Sequence, residues 1–192
     1  MKHLKIWRSF LLVLASIGVA GCSIEAPTAP KVADQPSTGL VTDLLGGLVS
    51  KDALTRRTPL ARDITVSATI GREGGRLEIP AAGFELTVPR GAVKSPTRFT
   101  VTALKGKLVA YEFGPHGIAF KVALRASQDL SVTTWRPLSL KPLVAGYFLE
   151  KSHLDQRGET ALLAEVIEGL TIPLTREFNG RIEHFSGYVV AW

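Results

Sequence analysis

Near the C-terminus the sequence places a base two residues ahead of a hydroxyl: His184 and Ser186 in Arg181-Ile182-Glu183-His184-Phe185-Ser186-Gly187-Tyr188. In a regular strand, residues i and i+2 share a face. An imidazole and a hydroxyl so placed have the types that general-base activation of a serine nucleophile needs. The same two residues serve equally as buried polar groups satisfied by neighbours, with Phe185 and Tyr188 in a core. Other chemistry is sparse. The chain has no Gly-x-Ser-x-Gly elbow, no His-Glu-x-x-His and no phosphate-binding glycine loop. His3 lies near the start, and His116, His153 and His184 fall on separate predicted elements, so no metal site and no cofactor are expected. Cys22 is the only cysteine, and a lone thiol in an exported protein needs a reason.

The N-terminus supplies both the export and the reason. Lys2, Lys5 and Arg8 precede an apolar run from Phe10 to Ala20, followed by small residues. This is the build of a secretory signal peptide, too short to span a bilayer comfortably. It ends in Val19-Ala20-Gly21-Cys22, which resembles the lipobox of bacterial lipoproteins. The resemblance implies cleavage after residue 21, diacylglycerol on the Cys22 thiol and acylation of the new amine. Several acyl chains on one residue anchor stably where one chain binds reversibly. The expected location is the bacterial cell envelope, with the membrane engaged through the lipid on Cys22. Ser23 in place of Asp points, by analogy with Gram-negative sorting, to the outer membrane.

Charge adds little about partners. The 192 residues carry 23 basic and 17 acidic side chains; removing Lys2, Lys5 and Arg8 with the leader leaves 20 against 17, a net of +3. No dense basic run is interleaved with aromatics, which argues against nucleic acid.

The elements that must position His184 and Ser186 come next. Residues 22–60 read as a lipidated cysteine and a tether rich in Pro, Ala and Thr. Within it, Leu40, Val41, Leu44, Leu45, Leu48 and Val49 recur at helical spacing, consistent with a short helix over 40–54 or with a weakly ordered linker. Residues 61–192 read as one domain. From Ile64 the period is two, and strands are predicted at Ile64–Ile70, Leu77–Ile79, Phe84–Val88, Phe99–Ala103, Val109–Phe113 and Ile118–Leu124, each stopped by Gly or Pro. Leu138–Leu149 contributes one or two more, His153–Thr160 is a polar turn, and Leu162–Ile167 and Leu170–Phe178 are further strands. Asn179-Gly180 then marks a hairpin into the closing strand, because both residues tolerate positive φ. About ten short strands without a convincing helix predict an all-β, antiparallel β-sandwich closed by its own tail.

Three phrases in this order resemble one domain family: Glu73-Gly74-Gly75 with Leu86-Thr87-Val88-Pro89-Arg90-Gly91-Ala92; Tyr111-Glu112-Phe113-Gly114-Pro115-His116-Gly117-Ile118-Ala119-Phe120; and His184-Phe185-Ser186-Gly187-Tyr188. They are similar to the ZU-five domain, named after zona occludens and uncoordinated-five proteins, over roughly Ile64 to Trp192. Ala123 departs from the pattern, standing about where many relatives have proline. The resemblance implies a β-sandwich interaction module. It also implies a second chemistry, since His-Phe-Ser is a self-cleavage site in some members. There, the Ser186 hydroxyl attacks the Phe185 carbonyl with help from His184, and water hydrolyses the resulting ester. The bond must be distorted for this, and Gly187 would permit a bulge. The fragments would stay together through strand pairing.

The favoured expectation is a non-enzymatic scaffolding or binding module whose partner is another envelope protein or a polysaccharide. The alternatives are autoproteolysis at Phe185–Ser186, with Ser186 and His184 catalytic, and a carbohydrate-binding surface displaying Trp135 and Tyr147.

Overall fold

Between Ile64 and Ile70, and again between Thr97 and Ala103, side chains alternate between core and solvent, as they do in a sheet with one face packed and one face wet. On the wet face hydroxyls pair across the strands, Thr65 with Thr102 at 2.9 Å and Ser67 with Thr100 at 3.0 Å. The structure, a computed structural model, describes residues 47–192, leaving out the side chains of Ala119 and Lys121. The predicted leader, Cys22 and the predicted spacer as far as residue 46 lie outside the described residues.

The strands in chain order are β1 (Val49–Asp52), β2 (Thr55–Leu60), β3 (Ile64–Ile70), β4 (Gly75–Ile79), β5 (Phe84–Val88), β6 (Thr97–Ala103), β7 (Gly106–Leu108), β8 (Ala110–Gly114), β9 (Ala119–Asp129), β10 (Val144–Phe148), β11 (Leu154–Asp155), β12 (Thr160–Leu163), β13 (Glu165–Glu168), β14 (Leu170–Ile172), β15 (Glu177–His184) and β16 (Gly187–Ala191). Three single 3-10 turns at Pro80–Ala82, Leu130–Val132 and Lys151–His153 interrupt them, and there is no α-helix among the described residues.

Two antiparallel sheets face each other. One has the order β13-β10-β16-β8-β6-β3, the other β14-β15-β9-β5-β4. Their inner faces meet in one core, with Phe99, Val101, Tyr111, Phe113, Tyr188 and Val190 from the first sheet against Phe84, Leu86, Leu124, Phe178 and Ile182 from the second. A third layer, the small sheet β1-β12-β11, covers the outer face of the first sheet. There Ala53, Phe148, Leu163, Val189 and Ala191 form a second apolar cluster. The tail strand β16 runs between β10 and β8 and is buried on both faces, its odd and even positions feeding the two clusters. The predicted all-β sandwich sealed by its tail is what the chain forms.

Several boundaries differ from expectation. The described strands number sixteen rather than about ten, because two- to four-residue strands such as β11 and β14 carry too few positions to show a period. The tether does not extend to residue 60, and the described part of the 40–54 segment is not helical. Gly47 takes φ +79°, and β1 then pairs with β12 from Val49↔Leu163 to Asp52↔Thr160. Leu54 is completely buried, so the domain begins well before Ala61. Asn179-Gly180 is not a turn. Both residues lie inside β15, paired with Ser127 and Ala126 of the eleven-residue β9. A long partner strand thus overrides the local turn preference of the dipeptide. The turn falls earlier, at Pro173–Arg176, where Arg176 takes φ +54° and splits the expected Leu170–Phe178 strand into β14 and the start of β15. Likewise Leu162–Ile167 is two strands in different sheets, parted at Ala164, and Leu138–Leu149 supplies only β10.

Candidate functional site

β15 ends at His184 in one sheet and β16 starts at Gly187 in the other, so Phe185 and Ser186 carry the chain across the sandwich edge. Phe185 fixes the crossing. It is 3 % exposed and sits edge-on to Phe99 (centroids 5.3 Å) and Phe120 (4.8 Å), and stacked with Phe113 (5.7 Å). Such pairs contribute about 0.5–1.5 kcal/mol each beyond their buried area. The backbone is tied on both sides of the Phe185–Ser186 bond: the Phe185 N–H donates to the Ile118 carbonyl at 3.2 Å, and the Ser186 carbonyl accepts from the Phe113 N–H at 2.9 Å.

The strand ends at His184 and the chain passes from one sheet into the other, with His184 and Ser186 half-buried on either side of the buried Phe185. Among the described residues no hydrogen bond joins Ser186 to His184. The imidazole is engaged elsewhere. Its Nε2 lies 3.5 Å from a Glu165 carboxylate oxygen, and Nδ1 lies 3.4 Å from the Tyr188 hydroxyl. That hydroxyl donates its proton to the His184 carbonyl at 2.9 Å, which leaves it only an acceptor role toward Nδ1. Burial, then the neighbouring Glu165, Tyr147 and Glu183, push the Tyr188 hydroxyl well above the ordinary tyrosine range, so it keeps its donor proton. The Tyr147 ring stands edge-on to the imidazole at 5.2 Å. A cleft lined by Glu165, Val166, Ile167, Arg181, Glu183 and His184 opens beside this cluster.

Gly187 has a different role from the expected bulge. A Cβ there would lie 2.3 Å from the Phe148 ring, so the residue is small to admit that ring. The irregular register lies instead between Ile182 and His184, where β15 pairs with β9.

The remaining candidates are dispersed. His116 is exposed on the loop after β8, and His153 is half-buried in the third 3-10 turn. Among the described residues no three His, Cys, Asp or Glu side chains group as metal ligands. Trp135 is 5 % exposed and belongs to the core, and Tyr147 is half-buried beside His184, so the two do not form an exposed aromatic platform.

Sequence reasoning missed a buried polar network in the segment assigned to the tether. Arg56 is buried, and its guanidinium donates to the carbonyls of Leu104 (3.3 Å), Leu108 and Ala110 (3.4 Å) while lying 5.4 Å from the Tyr111 ring centroid. Three carbonyls and a π face offset part of the cost of the desolvated cation, whose Nε has no hydrogen-bond partner among the described residues. The Tyr111 hydroxyl donates to Gln128 Oε1 at 2.5 Å, and Gln128 Nε2 donates to the Ala82 carbonyl at 3.0 Å. Burial pushes the Tyr111 hydroxyl up to about 12, with Arg56 opposing the shift. Thr55-Arg56-Arg57-Thr58 shows no apolar alternation, so nothing in its pattern signals a core.

The fold and this corner define an antiparallel β-sandwich module whose chain changes sheets at His-Phe-Ser. Residues 66–112 match the ZU5 domain model, from within β3 to within β8. The matched stretch contains the Glu73–Ala92 phrase and the first two residues of the second, and it stops short of the His184 corner. No curated protein matches the chain.

Proposed function

We propose that the protein is a lipid-anchored component of the bacterial cell envelope that presents a ZU5-like β-sandwich as a non-enzymatic interaction or scaffolding module. Its partner is another envelope protein or a wall polymer. The observation that carries the non-enzymatic half is the engagement of His184 by Glu165 and Tyr188, with no hydrogen bond to Ser186 among the described residues. A base committed elsewhere does not activate the hydroxyl. The ZU5 match supports the module, and Val19-Ala20-Gly21-Cys22 supports the anchor.

Two mass measurements test the reading. The N-terminal peptide of the protein purified from envelopes should begin at Cys22 and carry acyl chains; an unmodified cysteine would remove the anchor. Under denaturing conditions the chain should give one intact species through Trp192. Two fragments parted between Phe185 and Ser186, and lost in Ser186→Ala, would establish autoproteolysis instead. Capture from detergent-solubilised envelopes, with the acylated chain as bait, should then retain a defined partner.

A further inference from the structure

Residues 53–56 assemble the pole of the sandwich remote from the His184 corner. Ala53 bridges Ala191, the Leu54 N–H donates to the Val190 carbonyl at 2.8 Å, the Thr134 N–H donates to the Thr55 carbonyl at 2.9 Å, and Arg56 bridges Thr133. The end of β16 and the start of β10 are thereby set beside the end of β9 and the start of β15, where the Leu130 N–H donates to the Arg176 carbonyl at 2.7 Å. Two connections emerge here. One is the loop before β10, turning at Arg136–Ser139 (Ser139 N–H to the Arg136 carbonyl, 3.0 Å); the other is the Pro173–Arg176 turn. Their tips carry Leu138, Leu140 and Leu174, which are 93 %, 99 % and 97 % exposed. Other large apolar side chains exposed among the described residues, such as Leu170 at 63 %, are at least partly covered.

Three nearly naked leucines on two tips at the same end of the sandwich leave apolar area in water that folding does not recover. Arg136, Lys141 and Arg176 flank them in sequence. Arg136 and Arg176 have no carboxylate within 4 Å among the described residues, and Lys141 meets only Asp52, at 3.6 Å with both side chains exposed. Three carboxylates share this end and bring negative charge to it: Asp129, accepting from the Ser131 N–H; Glu177, accepting from the Thr175 hydroxyl; and Glu168, opposite Val144 in the register. Trp192, half-buried, lines a groove with Arg136, Pro137 and Leu138.

We infer that this pole docks on an anionic phospholipid bilayer, with Leu138, Leu140 and Leu174 entering the headgroup–acyl boundary and Arg136, Arg176 and Lys141 meeting the lipid phosphates. Apolar tips flanked by long cationic side chains, with an aromatic ring beside one of them, match the layered chemistry of that interface. Separate protruding tips insert one by one into a fluid layer without needing a matching cavity. The inference rests on the proposed anchor only for bringing the chain to a membrane. Between Cys22 and Gly47 the backbone reaches at most about 90 Å when fully extended, which allows either pole to meet the surface.

The test uses the unacylated chain from Ser23 onward, which keeps every described strand, in co-sedimentation with vesicles of phosphatidylethanolamine and phosphatidylglycerol or of phosphatidylcholine alone. Binding to the anionic vesicles is expected, weakening with salt. It should fall about tenfold or more when Leu138, Leu140 and Leu174 are all replaced by Ser. Replacing Arg136 and Arg176 by Ser should weaken binding to the anionic vesicles and leave phosphatidylcholine unaffected. Thermal unfolding should be unchanged, and the single Leu138→Ser and Leu174→Ser variants keep the test valid if the triple variant misfolds. Absence of vesicle binding, or equal binding by the leucine variants, overturns the inference. So does a concentration-dependent dimer abolished by the same substitutions, since that would assign the leucines to a second copy of the chain. Acylation of Cys22 is read separately by mass, so anchor and docking face can each fail alone.

Discussion

A single hydrogen at Gly187 admits the ring of Phe148, and no other side chain fits that space. The Gly187→Ala variant should lose about 2–3 kcal/mol in urea unfolding, the usual cost of overpacking against a rigid ring, and Phe148→Leu in the same chain should restore part of it. Arg56 poses the converse problem, a charge whose loss strips hydrogen bonds from buried carbonyls, of which that of Ala110 still accepts from the Leu104 N–H at 3.0 Å. Arg56→Met keeps the volume but strips donors from the carbonyls of Leu104, Leu108 and Ala110, so it should cost about 2–4 kcal/mol. Tyr111 makes this network sensitive to alkali. Its hydroxyl titrates at about 12 in the fold against 10.0 when free, so between those values the unfolded chain releases a proton that the folded chain holds. Stability from this group is complete below pH 10 and is lost as pH rises through 12, by about 2–3 kcal/mol in total. Denaturant midpoints measured from pH 9 to 12 should fall less steeply in Tyr111→Phe than in the parent.

Among the elements, β15 shows where local preference yields to pairing. Asn179-Gly180 has the composition of a type I′ turn, yet each residue sits opposite a residue of β9. At Gly180 a Cβ would find Ala145 at 3.7 Å and Phe178 at 3.8 Å, which is ordinary contact, and φ is not positive. Gly180→Ala should therefore be neutral or stabilising by about 0.5 kcal/mol, because the unfolded chain loses freedom without strain in the fold. A turn at that position would make the same change cost more than about 1 kcal/mol, and a thermal melt separates the outcomes. The sheets themselves were legible wherever a strand is long enough to alternate and has one wet face, as β3, β5 and β6 do. The tail strand was legible through Tyr188, Val189 and Val190. What stayed hidden depends on contacts distant in sequence: the pairing of β1 with β12, the turn at a residue without a glycine, and the sheet change at His184. Across that change His184 and Ser186 stay half-buried on either side of Phe185, with no hydrogen bond between them among the described residues. Phe185 as a core residue was readable from its type; the hold of Glu165 and Tyr188 on His184 was not.

At the scale of the whole molecule, the outer face of the six-stranded sheet decides where the folding unit begins. Val189 and Ala191 of β16, Leu108 and Leu163 share a cluster with Ala53, and Leu54 is completely buried in the main core. A chain starting at Ala61, the boundary that periodicity suggests, would lack β1, β2, Leu54 and Arg56. Losing Leu54 alone removes about 2–5 kcal/mol, and the carbonyls stripped of Arg56 add about as much again. Together these approach the roughly 5–15 kcal/mol that holds a domain folded, before the exposed second cluster is counted. The chain from Ala61 is thus expected to be unfolded or molten, with broad amide resonances and no cooperative urea transition. The chain from Gly47 should unfold in a single sharp step. If the two behave alike, the segment from Val49 to Leu60 is an accessory to the sandwich and its buried side chains contribute far less than their burial implies.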